Sequence, residues 1–299
     1  LFTKSAKDFL DSWFESDHIK ACFGFDSIVG NYASPETPGS AYVLLHHVFG
    51  EIDGEKGAWG HAVGGMGSIT QLMKNVCEEK GVEISTNAAV EKVLIKNNKA
   101  IGIMLEDGTE VFADKVISNL NPKLLFKKLV DRDDVNEEYR RKILNYKCGS
   151  GTFRMNVALS ELPDFNCLPG KEISEHHKSG IVIAPSLTYM DQAFTDAKQY
   201  GWSKNPIVEM LIPSTVDSSL APEGKHVASL FCQQFAPTLP DDRCWHNEKD
   251  NAANTIIETV NRFAPNFKDS ILGMSILSPL DLEEKLGLIG GDIMHGVMS

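Results

Sequence analysis

The side chains that could do chemistry fall into a few small groups. His46 and His47 are adjacent in the apolar run AYVLLHHVFG, where a histidine more often satisfies a core hydrogen bond than carries a proton in catalysis. Trp59 and His61 flank the glycine-rich turn GAWGHAVGGMGS, in which Gly64, Gly65 and Gly67 cluster just ahead of an amphipathic stretch. Glycines in that position let backbone N–H groups and the positive end of a helix face an anion or the edge of an aromatic ring. The pattern is GGxG, not the GxGxxG of a dinucleotide-binding first turn, and no strand-forming run precedes it, so alone it reads as a tight structural turn. His176, His177, His226 and His295 converge on no metal spacing and HExxH is absent, so no metal is expected. Ser150, in GSG, lies in a loop without the GxSxG elbow, which sets hydrolase chemistry aside.

The elements that must position these groups are best marked between Gly54 and Pro122. The glycine turn leads into a helix bearing Ile69, Leu72, Met73 and Val76, which Gly81 stops. Three β-like stretches follow: VEISTNAAVEKVLIKN, then AIGIMLEDGTEV with an Asp107-Gly108 turn, then ADKVISNL closed by Asn121-Pro122. Residues 3–30 have helical periodicity, 31–40 a loop composition, and AYVLLHHVFG leans towards helix. Residues 123–146 read as helical. GTFRMNVALS, GIVIAPSLTYM, PIVEMLIPST and HVASLFCQQF read as strands of a second sheet. A helix is expected over 247–263, and Ser278-Pro279 opens another. The end, GLIGGDIMHGVMS, suggests no compact terminal element.

Composition bounds the partners. With 42% hydrophobic residues the 299-residue chain can build one large core or two smaller ones, and its net charge of −12 makes nucleic acid an unsuitable partner. The six cysteines are dispersed, with no CxxC or dense framework, which fits an intracellular, reducing compartment: the cytoplasm, or the mitochondrion in a eukaryote. No window reaches the ~18 apolar residues of a membrane-spanning helix. No targeting signal is visible; the chain opens on Leu1 directly within an amphipathic pattern, so the expectation is a sequence truncated at its front.

The succession GGMGSITQLMKNVCEEKGVEISTNAAVEKVLIKNNKAIGIMLEDGTEVFADKVISNLNP resembles the middle of the phytoene desaturase and amine oxidase superfamily, and LEDGTEV, SLFCQQF, APNFKDS and GGDIMHGVMS extend the likeness over essentially the whole chain. The resemblance implies a mixed α/β fold in which the chain alternates between a flavin-binding and a substrate domain. Residues 1–54 and 123–280 would belong to the substrate domain, with its larger mixed sheet. Residues 55–122, a helix plus a β-meander, would belong to the FAD-binding domain, and 281–299 would return towards it. The family's N-terminal βαβ unit with GxGxxG is absent from this chain, so the fragment alone should bind FAD poorly. It implies FAD contacts at Gly64, Gly65 and Gly67, through backbone at Ala89, Val90 and Glu91, and at Ser118 and Asn119 after Ile117. Trp59 and His61, which would approach the flavin side of the substrate cavity, become the candidates for a catalytic role, and His46 and His47 would also line that cavity.

The reaction so implied is hydride removal from an apolar substrate, of an isoprenoid or polyene kind, with FAD as acceptor. An amine oxidase-like flavoprotein and a non-catalytic interaction protein that keeps the fold are the alternatives. Peripheral membrane contact or a homo-oligomer would be compatible with either.

Overall fold

The computed structural model describes residues 2–298. Helices α1 (Ala6–Asp11) and α2 (Asp17–Phe25) begin where Ser5 and Ser16 accept hydrogen bonds from the N–H groups of Asp8 and Ile19, and α3 (Ser40–Val48) packs beside them. A short hairpin, β1 (Glu51–Ile52) and β2 (Glu55–Lys56), leads to α4 (Gly67–Glu79). An antiparallel meander follows, with β3 (Val90–Lys96), β4 (Lys99–Leu105) and β5 (Glu110–Phe112). The β4–β5 turn is the expected one: Gly108 has φ +85° and the Asp107 carboxylate accepts the Thr109 N–H at 2.9 Å.

Residues 122–145 are helical in pieces: α5 (Pro122–Leu124) runs into a π-turn at Leu125–Leu129, and α6 (Glu137–Asn145) comes after a 3-10 turn. The second half is built on β6 (Thr152–Leu159), α7 (Glu175–Lys178), β7 (Ile181–Ile183), α8 (Leu187–Tyr200), β8 (Trp202–Leu211), β9 (His226–Phe235), α9 (Trp245–Phe263), α10 (Phe267–Ser270), β10 (Ile271–Leu277) and α11 (Pro279–Leu286).

Five of these strands form one sheet, in the order β10-β6-β9-β8-β7. Every neighbouring pair is antiparallel, where the resemblance had implied a mixed sheet. Its register sorts alternate residues to opposite sides. Phe153, Met155 and Val157 of β6, Val208 and Met210 of β8, and Leu230 and Cys232 of β9 are fully buried in a cluster with Ile256 and Val260 of α9. On the reverse side Ile207 and Phe231 join Leu10 of α1, Phe25 of α2, Ile28 just after it and Met190 of α8.

Several expectations are corrected. GIVIAPSLTYM is strand only over Ile181–Ile183, because the Ser186 hydroxyl accepts the Tyr189 N–H and starts α8, whose Leu187, Met190, Ala193 and Ala197 bury at helical spacing. Strand formation in VEISTNAAVEKVLIKN is confined to β3, and ADKVISNL forms no strand: it has no ladder partner, and Ile117 is 94% exposed. AYVLLHHVFG does become a helix, but it buries Val43 and Leu44 and leaves His46 exposed.

The last stretch is tied down rather than loose. The Gly149 N–H donates to buried Asp292 (2.7 Å), the Ser150 hydroxyl to Gly291 O (3.0 Å), and the Val297 N–H to Lys147 O (3.1 Å). Ser150 is thereby a buried structural hydroxyl, and the glycines of 290–291 permit the approach, since a Cβ on Gly291 would sit 2.6 Å from Pro279 O.

Candidate functional site

The glycine-rich turn is positioned by a residue far away in sequence. Gly64 and Gly65 take φ of +82° and +87°, a region that favours glycine, and Gly67 opens α4. The Gly64 N–H donates to Asp217 Oδ2 at 2.7 Å, and His61 Nε2 lies 3.6 Å from the same oxygen. Asp217 follows the end of β8 and also accepts from the Ser219 hydroxyl (2.6 Å) and N–H (3.0 Å). The Ser219 hydroxyl first, then the Gly64 and Ser219 amides, hold its carboxyl below the usual carboxylate range. One carboxylate thus pins the turn to the end of a strand of the large sheet. Since the Gly65 N–H goes to Ala62 O (2.9 Å), the first two amides of the turn already have protein acceptors.

Trp59 is 86% exposed and stands clear of that contact. His46 and His47 lie at the end of α3, their rings 5.3 Å apart. His47 Nδ1 is 2.9 Å from Val43 O; a carbonyl can only accept, so Nδ1 carries the proton and Nε2 is left to face outwards from that bond.

A second feature lies between the meander and the segment after it. A cavity of about 580 Å³ is lined by Val90, Val93, Ile103, Ile117, Leu124 and Leu125, with Ser118 and Asn119 at its wall. Of the candidate residues, Val90, Ser118 and Asn119 meet there, while Ala89 and Glu91 lie outside its lining and Ala89 O accepts the Glu106 N–H (3.0 Å). The glycine turn does not reach this cavity. The two sets of candidates therefore occupy two separate places.

Tested against a flavin nucleotide, this half of the molecule fits one part of it. The 115–120 segment has backbone groups without a ladder partner beside an apolar cavity, suited to the rim of a flat ring and to hydroxyl groups. A cradle for the pyrophosphate is not formed by the glycine turn, whose leading amides are already engaged.

Sequence reading missed Asp217, because only folding brings it within reach of Gly64, 153 positions away. It also missed Arg154 and Gln233, which share one side of the large sheet through register alone.

Comparison with known proteins follows the same outline. Residues 4–152 match the profile of the family described as flavin containing amine oxidoreductase. The chain is 38% identical over 296 residues to pyridine nucleotide-disulfide oxidoreductase domain-containing protein 2 of Rattus norvegicus, covering 97% of this chain and 51% of that protein. It is 24% identical over 277 residues to a phytoene desaturase (lycopene-forming) of Pseudescherichia vulneris, covering 91% of this chain and 52% of the relative. The chain thus spans about half the length of the curated relatives it matches. Among solved structures, an oxidoreductase from Methanosarcina mazei superposes with a TM-score of 0.61 at 20% identity, over 92% of this chain and 56% of that one. The fold is thus that of the Methanosarcina mazei oxidoreductase, and over residues 4–152 the chain is similar to the flavin containing amine oxidoreductase family.

Proposed function

We propose that this chain is the central part of an FAD-dependent oxidoreductase that takes hydride from an apolar substrate of the isoprenoid or polyene kind. The observation that carries the reading is the Asp217 contact, which fastens the glycine turn of the flavin-side segment to the end of β8. That contact would hold a cofactor-bearing segment beside the partly open side of the large sheet. The exposed apolar stripe of α4 and the unpaired 115–120 edge would be covered by a further βαβ unit of the kind that binds most of the flavin. FAD, when bound, would supply the hydride acceptor.

What the chain's own residues would do is orient and exclude. Val90, Ser118 and Asn119 would meet the nucleotide through backbone groups. Phe231 and Ile207, backed by the N-terminal helices, would form an apolar wall for substrate and keep water from it. Phytoene desaturase among the relatives supports the choice of substrate class.

The family description supports one second reading, oxidation of an amine. Among the described residues no helix is long and apolar enough to cross a membrane, so an apolar substrate would reach the protein from water or from a membrane surface that it touches. The test is reconstitution with FAD of a longer protein containing this chain. The expected result is a yellow protein bleached anaerobically by a polyene. A protein that takes up no flavin would overturn the reading, and bleaching by amines with peroxide release in air would replace it with the second.

A further inference from the structure

The two sides of the five-stranded sheet differ in chemistry. Under α9 the central positions are all apolar. On the reverse side the register sets Thr152, Arg154 and Asn156 of β6 opposite Gln233, Phe231 and Ser229 of β9, and sets Ile207, Glu209 and Leu211 of β8 opposite those same three. Polar groups are therefore placed around one aromatic ring in the middle of a sheet.

Arg154 is the centre of this arrangement. It is partly buried; its Nη2 donates to Ser229 Oγ at 2.9 Å, and its guanidinium carbon lies 4.9 Å from the centre of the Phe231 ring. Among the described residues it forms no ion pair and no other side-chain hydrogen bond, so most of its five N–H donors have no protein acceptor. Burial lowers its pKa, and the charge of Glu209, beyond Phe231, works the other way. Burial raises the pKa of the Glu209 carboxyl, and the Arg154 charge works against that rise.

One step along β9, Gln233 is fully buried, and neither Nε2 nor Oε1 has a partner. A half-buried cation without an ion-pair partner and a fully buried amide without a partner lie on the same side of the same strand pair, and the unpartnered amide in particular is costly. A guanidinium fork matches two oxygens of one oxyanion, and an amide N–H can take a further lone pair. Phe231 and Ile207 beside them, with Leu277 next to Arg154 on β10, offer apolar surface to the remainder of such a ligand.

We propose that Arg154, with Ser229 and Gln233, receives the oxyanion head, a carboxylate or a phosphate monoester, of an otherwise apolar substrate. This deepens the functional reading above and rests on it for the identity of the substrate wall. Binding itself needs no flavin and is measured without it.

The experiment is calorimetric titration of this chain with dodecanoate, dodecyl phosphate and dodecanol. The anionic probe that fits is expected to bind at least about tenfold tighter than the alcohol, the usual size of a charge-assisted contact. Tighter dodecanoate assigns a carboxylate head and tighter dodecyl phosphate a phosphate head. Arg154→Gln should abolish the preference while leaving dodecanol binding in place, and Arg154→Lys should restore part of it. Equal affinity of the wild-type chain for all three probes overturns the site even if a variant fails to fold, as does an undiminished preference in Arg154→Gln. An intact anion preference in a longer protein that takes up no FAD would sink the oxidoreductase reading and leave this site standing.

Discussion

Helices α4 and α9 both carry an apolar stripe in sequence, yet seven residues of α9 are buried and none of the thirteen in α4 is. On α9, Ala252, Ile256 and Val260 lie against the large sheet, whereas on α4 Leu72 is 64% exposed and Met73 63%. The strands repeat the contrast: Met155 of β6 has no exposed surface, while Phe112 of β5 is 63% exposed. Periodicity in a sequence states that a segment wants a partner. It does not state that the partner belongs to the same stretch of chain. The large sheet has found its cover, and the segment from α4 to β5 still presents its apolar surface.

The contrast can be broken most forcefully in the large sheet. Leu230→Ala, in the centre of β9 under α9, should destabilise the chain by about 2–5 kcal/mol. A shift of the urea midpoint at unchanged slope would show it, and no shift would mean that this core is looser than its burial indicates.

A smaller effect should come from the edge of the same half. Asp281 caps α11, accepting from the Ser278 N–H (3.1 Å) and hydroxyl (2.8 Å), and pairs with Lys285 (2.8 Å) and, from α9, Lys249 (3.3 Å). Burial works to raise its pKa, but Lys285, Ser278 and Lys249 together hold the carboxyl well below the usual range. A depressed pKa means stability that is complete above the unfolded-state value of about 4 and is lost as the pH falls towards the folded-state value. The stability gap between wild type and Asp281→Asn should therefore be widest near neutrality and close on acidification below about pH 4. Unfolding midpoints across that range test it, and a gap that persists or widens in acid would refute the assignment.

The smallest effect should lie on α4. Leu72→Ser, at an exposed position, should change the stability of this chain by no more than about 0.5 kcal/mol. In a longer protein that covers the stripe, the same change should cost several times more, as a buried leucine does. Equal small effects in both would mean that α4 stays uncovered and that its apolar stripe meets no partner.

Much of the arrangement was legible from sequence where signals are local. The glycine turn, α4, the Asp107-Gly108 turn and α9 each depend on residues within a few positions of one another. So does the Ser278 cap, whose hydroxyl and the Asp281 side chain bond each other's backbone N–H groups. Helix α8 was hidden because IVIAPSLTYM is a short apolar run, and only the Ser186 cap distinguishes its strand from its helix. The stretch 115–120 has the composition of a strand, but a strand also needs an edge to pair with.

The site residues that escaped notice are long-range by nature. Asp217 looks like one more surface acid until it is seen to accept the Gly64 N–H. Arg154 and Gln233 acquire meaning from the register of β6 with β9, which no local pattern encodes.

The N-terminal helices show the same dependence on distant sequence in time as well as in space. Gln234, at the end of β9 with φ +66°, donates from its amide to Ala33 O at 2.9 Å across 201 positions, and Phe231 of that strand closes over the same helices. During synthesis α1, α2 and α3 leave the ribosome long before the strand that receives them exists. Their apolar surfaces must wait uncovered, so this pairing gives the fold high contact order and slow completion. Shielding of these helices by a chaperone should matter more for the yield of this protein than for its final stability.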